Sequence, residues 1–144
     1  MLRAALLAGS AFSKSYVGYC HAVAHSLGGE YHIPHGLANA VLLPYVLEAY
    51  GDAAHKKCRD IAIAMKVADP DTPAHLATRN LIGEIRRMNA AMGIPAKLPG
   101  IRAVDIPKLA AYADKEANPL YPVPRLMCKA QLEQFYYDVM EEPK

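Results

Sequence analysis

The chain has 144 residues, 53% of them hydrophobic and 21% charged, with a formal net charge of +2 at pH 7. That balance suits one globular domain burying roughly two thirds of its unfolded surface, and it excludes disordered and fibrous classes. Beyond Lys56, Lys57 and Arg59 there is no basic stripe, and no apolar run approaches the about 18 residues that span a bilayer, so neither nucleic acid nor membrane is an expected partner.

The apolar periodicity predicts a first amphipathic helix from about Arg3 to Leu27. Met1-Leu2-Arg3 with Ala4-Ala5-Leu6-Leu7-Ala8 has the look of a targeting leader. The pattern, however, continues unbroken through Phe12, Tyr16, Val17 and Cys20, which favours a helix. Gly28-Gly29 is expected to close it, because glycine enters the left-handed region at a helix end without steric cost. Glu30 to Ile33 form a short connection. Pro34 then opens a second helix, since its missing N–H costs nothing in a first turn. This helix is expected to reach about Tyr50, with Leu37, Val41, Leu42, Val46 and Leu47 on its core face, a kink at Pro44 and an end at Gly51.

A third helix is predicted over about Ala53 to Val67 and is broken by Asp69-Pro70-Asp71. Asp71 or Thr72 caps a fourth, from Pro73 to Met92, with Leu76, Leu81, Ile82, Ile85 and Met88 at helical spacing. Gly93 through Gly100 make an irregular crossing. Two shorter helices, about Ile106 to Glu116 and Cys128 to Met140, flank the segment Asn118 to Pro124, whose three prolines predict an extended path. No alternating pattern of useful length interrupts these, so the class is all-α, a helical bundle-like domain. Nothing resembles a βαβ unit or a glycine-rich phosphate loop, and a dinucleotide has no evident site on the chain. Cys20, Cys58 and Cys128 are widely spaced and odd in number, which predicts free thiols in a reducing compartment, the cytoplasm.

Four of the six histidines fall within fifteen residues: His21, His25, His32 and His35. His21 and His25, four apart on a helix, project from one face. His35 begins the next helix, and a hairpin between the two would bring it back toward that face. Neutral imidazole is the commonest protein ligand for iron, zinc or copper ions. By spacing alone these are either metal ligands or hydrogen-bonded core histidines, and spacing alone favours His21 and His25 as the ligand pair.

The run Gly18-Tyr19-Cys20-His21-Ala22-Val23-Ala24-His25-Ser26-Leu27-Gly28, followed by Ile33-Pro34-His35-Gly36-Leu37-Ala38-Asn39-Ala40-Val41-Leu42-Leu43-Pro44, closely resembles the signature of the iron-containing (group III, metal-dependent) alcohol dehydrogenases. That signature reads G-x-x-H-A-x-A-H-x-L-G, a spacer, then P-H-G-x-x-N-A-x-L-L-P. Gly93-Ile94-Pro95, Asp105-Ile106-Pro107 with Leu109-Ala110, and Asn118-Pro119 continue the likeness in order to the end of the chain.

The resemblance implies that residues 1–144 are a partial C-terminal, all-helical, metal-binding domain without the family's N-terminal nucleotide-binding domain. It implies His21 and His35 as metal ligands for Fe(2+), with Zn(2+) as the alternative ion. His25 is implied as the catalytic and cofactor-binding residue beside the nicotinamide of NAD or NADP. The implied chemistry is hydride transfer with a small alcohol or aldehyde substrate, in a complete protein that is a homodimer. The family's remaining ligands, a D-x-x-x-H pair, and its G-G-G-S loop have no counterpart here. Asp52 with His55 has the wrong spacing to replace the first. The chain alone is therefore expected to bind metal weakly and not to turn over. His32 is read as structural or solvent-facing, and His55 and His75 as surface residues. Two other readings compete: a non-catalytic helical module, and a helical metallohydrolase, which needs carboxylates although Glu30 is the only acid before residue 48.

Overall fold

Seven α-helices carry most of residues 1–141, the residues that the computed structural model describes. They are α1 (Leu2–Ser15), α2 (Tyr19–Tyr31), α3 (His35–Tyr50), α4 (Asp52–Ala64), α5 (Ala74–Ala91), α6 (Ile106–Ala117) and α7 (Lys129–Val139), with a 3-10 turn, Ala103–Asp105, leading into α6. Among the described residues the one β-type contact is an isolated bridge between Leu98 and Met140. The all-α architecture is the one expected.

The core lies where α2 packs against α3 and α6, and α6 against α7, while α4 and α5 pair and lean on α3. Tyr19, Val23, Leu27, Leu42, Leu109, Leu132 and Tyr136 are wholly buried there. Each large side chain of this kind contributes about 1.5–3 kcal/mol on leaving water. Two hydroxyls give this apolar volume a fixed register. Ser26 Oγ and Tyr136 Oη lie 2.6 Å apart, and Tyr136 Oη lies 3.1 Å from the Leu109 carbonyl, so α2, α6 and α7 meet at one point. Tyr19 Oη donates to Asn118 Oδ1 (2.7 Å) and accepts from the Met127 N–H (2.9 Å), fastening the first turn of α2 to the segment before α7.

Several expected boundaries are corrected. The first predicted helix is two helices, because the backbone breaks at Tyr16, whose φ of 60° is outside the helical region, and resumes only after Gly18. A Cβ on Gly18 would lie 3.3 Å from Tyr50 Oη, so this turn is tight as well as bent. Gly28-Gly29 does not end α2. The helix runs on to Tyr31, and His32 takes the left-handed position instead, its N–H bonded to the Gly28 carbonyl at 3.0 Å. α4 stops at Ala64, three residues short of the expected end. Pro44 is buried within α3, which continues past it to Tyr50. The proline-rich segment is not extended throughout. It starts as a turn, with Tyr121 N–H bonded to the Ala117 carbonyl (2.8 Å), and its Asn118–Pro119 bond is cis.

α1 stands apart. None of its residues is buried, and Leu2, Leu6, Leu7 and Phe12 are 90%, 70%, 63% and 53% exposed. No described helix is long and apolar enough to cross a membrane.

Candidate metal centre

The histidine face of α2 is set by what lies behind it. Ala22, Val23, Ala24, Ser26 and Leu27 turn into the core, which leaves His21 partly exposed and His25 fully on the surface side. After the left-handed residue His32, the chain needs only Ile33 and Pro34 to turn into α3. Pro34 adopts an extended conformation (φ −55°, ψ 130°), and its carbonyl accepts the first helical bond, from the Ala38 N–H at 3.0 Å. His35 is thereby returned to the same face. Ring centroids are 5.3 Å apart for His21 and His35, 5.2 Å for His25 and His35, and 6.0 Å for His21 and His25. The structure thus brings together His21, His25 and His35, three of the four clustered histidines.

The His21 imidazole has its pKa lowered, first by burial and then by the neighbouring His35 and His25; Glu116 opposes this more weakly. A neutral ring is the form that ligates metal. Beside His35, Asn39 lies one helical turn on. Its Nδ2 donates to the His35 carbonyl (3.0 Å) and lies 3.1 Å from His35 Nε2. Asn39 Oδ1 is buried and has no partner among the described residues. Asn39 therefore presents its amide nitrogen, a donor, to the His35 ring, and its oxygen is left without a partner.

The donor set is partial. Among the described residues no group of three or more His, Cys, Asp or Glu side chains has the geometry to hold a metal ion. Two imidazoles would supply half of a tetrahedral site or a third of an octahedral one, and the rest of the coordination sphere would have to come from other groups.

Sequence reasoning missed the acid at this site. Glu116, near the end of α6, places Oε1 2.8 Å from His25 Nδ1, and Tyr121 Oη donates to the same oxygen at 2.7 Å. Glu116 sits two residues before Asn118-Pro119, a pair already marked by its sequence pattern, but no periodicity connects positions 25 and 116. Glu30, the acid that the metallohydrolase reading required, is instead paired with Lys108 at 2.8 Å. His32 is exposed, as expected. His55 lies 3.1 Å from Asp52 at the start of α4 and, with His75, Arg79 and Arg86, lines a separate open cleft between α3, α4 and α5.

The sequence matches the profile of the Fe-containing alcohol dehydrogenase family, C-terminal, over residues 1–140. A 1,3-propanediol dehydrogenase of Citrobacter freundii is 42% identical over 120 residues, which cover 82% of this chain and 31% of that protein. A lactaldehyde reductase of Escherichia coli K12 is 39% identical over 109 residues, covering 74% of this chain and 28% of its own. The crystal structure of a 1,3-propanediol oxidoreductase superposes with a TM-score of 0.86 at 36% identity, over 94% of this chain and 36% of that one. The chain therefore spans about a third of the length of the relatives it matches.

Proposed function

From the premise that the chain belongs to the Fe-containing alcohol dehydrogenase family, as its C-terminal part, we propose that it serves hydride transfer between a small alcohol or aldehyde and NAD or NADP. In this reading His21 and His35 are two ligands of an Fe(2+) or Zn(2+) site completed by the remainder of the protein. The nucleotide-binding domain and the other ligands belong to that remainder. The uncovered apolar residues of α1 support the division, because a face of that kind is ordinarily covered. Three free thiols support a reducing compartment, the cytoplasm, and a homodimer is the assembly this reading takes for the complete protein.

When bound, the ion supplies Lewis-acid polarisation of the substrate oxygen and the nicotinamide accepts or donates the hydride. The chain's own residues orient and move a proton. His21, whose surroundings favour the neutral ring, and His35 stand with their ring centroids 5.3 Å apart. His25, 5.2 Å from His35, takes the proton that an alcohol hydroxyl gives up on oxidation and returns it on reduction. The buried flank of α2 keeps water from the side of the rings that faces the core.

The carrying observation is the convergence of His21 and His35. In the complete protein, His35→Ala is expected to lose bound metal, whereas His25→Ala retains metal and loses rate; metal content and turnover measured on the same preparations read both. The opposite pattern reverses the two roles. The purified 144-residue chain is expected to bind either ion weakly and to show no turnover, and nicotinamide-dependent alcohol oxidation by it overturns the division between the two parts.

A further inference from the structure

We propose that Glu116, steadied by Tyr121, is the positioning residue of His25, fixing the ring proton on Nδ1 and leaving Nε2 as the proton-accepting nitrogen. The chemical use of that arrangement rests on the dehydrogenase reading above; the arrangement itself does not.

The geometry carries it. Glu116 Oε1 is 2.8 Å from His25 Nδ1, the separation of a charge-assisted hydrogen bond, across 91 positions of sequence. A carboxylate only accepts, so the ring nitrogen facing it must donate. The other nitrogen of a neutral ring then holds a lone pair, and ring geometry directs it away from Glu116. Tyr121 Oη donates to the same carboxylate oxygen at 2.7 Å. Burial and the adjacent carboxylate push the Tyr121 hydroxyl up to about 12, so it stays a donor across the working range. Among the described residues no lysine or arginine pairs with Glu116; its ion-pair partner is His25. His25 and Glu116 also line one edge of an open cleft with Ser26, Gly29, Glu30 and Tyr112, so the dyad faces space that a small molecule can enter.

Held this way, His25 accepts a proton at Nε2 from a hydroxyl, and the imidazolium formed is stabilised by the carboxylate on Nδ1. No bond other than the O–H breaks, and the proton leaves by the same atom in the reverse direction. Carboxylate–imidazole pairs orient general bases in this manner elsewhere.

The test is the tautomer of His25 in the 15N-labelled 144-residue chain, read from two-bond 1H–15N correlations in chelator at about pH 8, where neutral histidine dominates. The expected pattern is a protonated Nδ1 and a bare Nε2, the reverse of free histidine. Glu116→Ala is expected to return His25 to the Nε2–H form. Glu116→Gln, close in shape, is expected to give a mixture, because an amide both donates and accepts. Tyr121→Phe weakens the preference without abolishing it. Correlations of His21 and His35 serve as the internal reference for an intact α2–α3 hairpin, and Glu116→Gln decides the matter if Glu116→Ala does not fold. A proton on Nε2 in the unaltered chain, or the same His25 pattern in Glu116→Gln, overturns the proposal. The readout needs neither ion nor nicotinamide. An unmoved His25 alongside metal loss in His35→Ala sinks the role of Glu116 alone, and the converse sinks the dehydrogenase reading alone.

Discussion

Tyr19→Phe isolates one oxygen atom at the base of the candidate centre. The ring is fully buried and its volume is kept, so the loss is the hydroxyl alone. That hydroxyl donates to Asn118 Oδ1 at 2.7 Å and accepts from the Met127 N–H at 2.9 Å, and Met127 is 2% exposed. Removing it leaves a backbone donor without a partner in a dry place, a loss of about 2 kcal/mol once the forfeited bond to Asn118 is included. With a urea m-value of about 2 kcal/mol/M for a chain this size, the midpoint should fall by about 1 M, and Tm by about 4–8 °C. Chemical denaturation followed by far-UV circular dichroism measures it. A shift below about 0.25 M refutes the reasoning, since it means that water or a small backbone movement satisfies Met127 without cost. The consequence reaches the histidines, because Tyr19 opens the helix that carries His21 two residues later.

Two further outcomes follow from titratable groups. The folded His21 pKa lies below its ordinary 6.5, so the unfolded chain binds the extra proton first as pH falls. The contribution of His21 to the stability of the metal-free chain is therefore full above about 6.5 and is lost as pH falls below that toward the folded value; His21→Gln should flatten the decline that sets in below about pH 6.5, and an unchanged slope in urea titrations argues against it. Among the thiols, burial pushes Cys20 up to about 12 and raises Cys58, whereas Cys128 is exposed. Iodoacetamide at about pH 8 should label Cys128 well ahead of the other two, as peptide mass mapping will show; equal labelling of Cys20 means that its surroundings are open to solvent.

What was legible in the sequence is what depends on near neighbours. The four-residue spacing of His21 and His25 gives a shared face in any helix, and Pro34 before His35 announces the start of α3. The break at Tyr16 was not legible. The apolar pattern runs straight across it, and the close approach of Gly18 to Tyr50 that shapes the turn is a tertiary contact. Gly28-Gly29 misled in the opposite direction. Both are accommodated inside α2 because the surrounding turn, from Ser26 and Leu27, packs into the core and outweighs the cost of glycine in a helix, about 1 kcal/mol each. Glu116 lay beyond reach for a different reason. It meets His25 only after α6 docks on α2, and nothing in the spacing of either helix reports which residues will face each other.

His21 and His35 are joined through a three-residue corner, His32, Ile33 and Pro34, and stand 14 positions apart along the chain. The entropy lost in closing so small a loop is modest and grows only slowly with length. Both imidazoles therefore come from one helical hairpin, whose packed face rests on α6 and α7. The spacing of the two imidazoles is thus set within that hairpin, while a group that meets the histidine face from outside, Glu116, comes from α6.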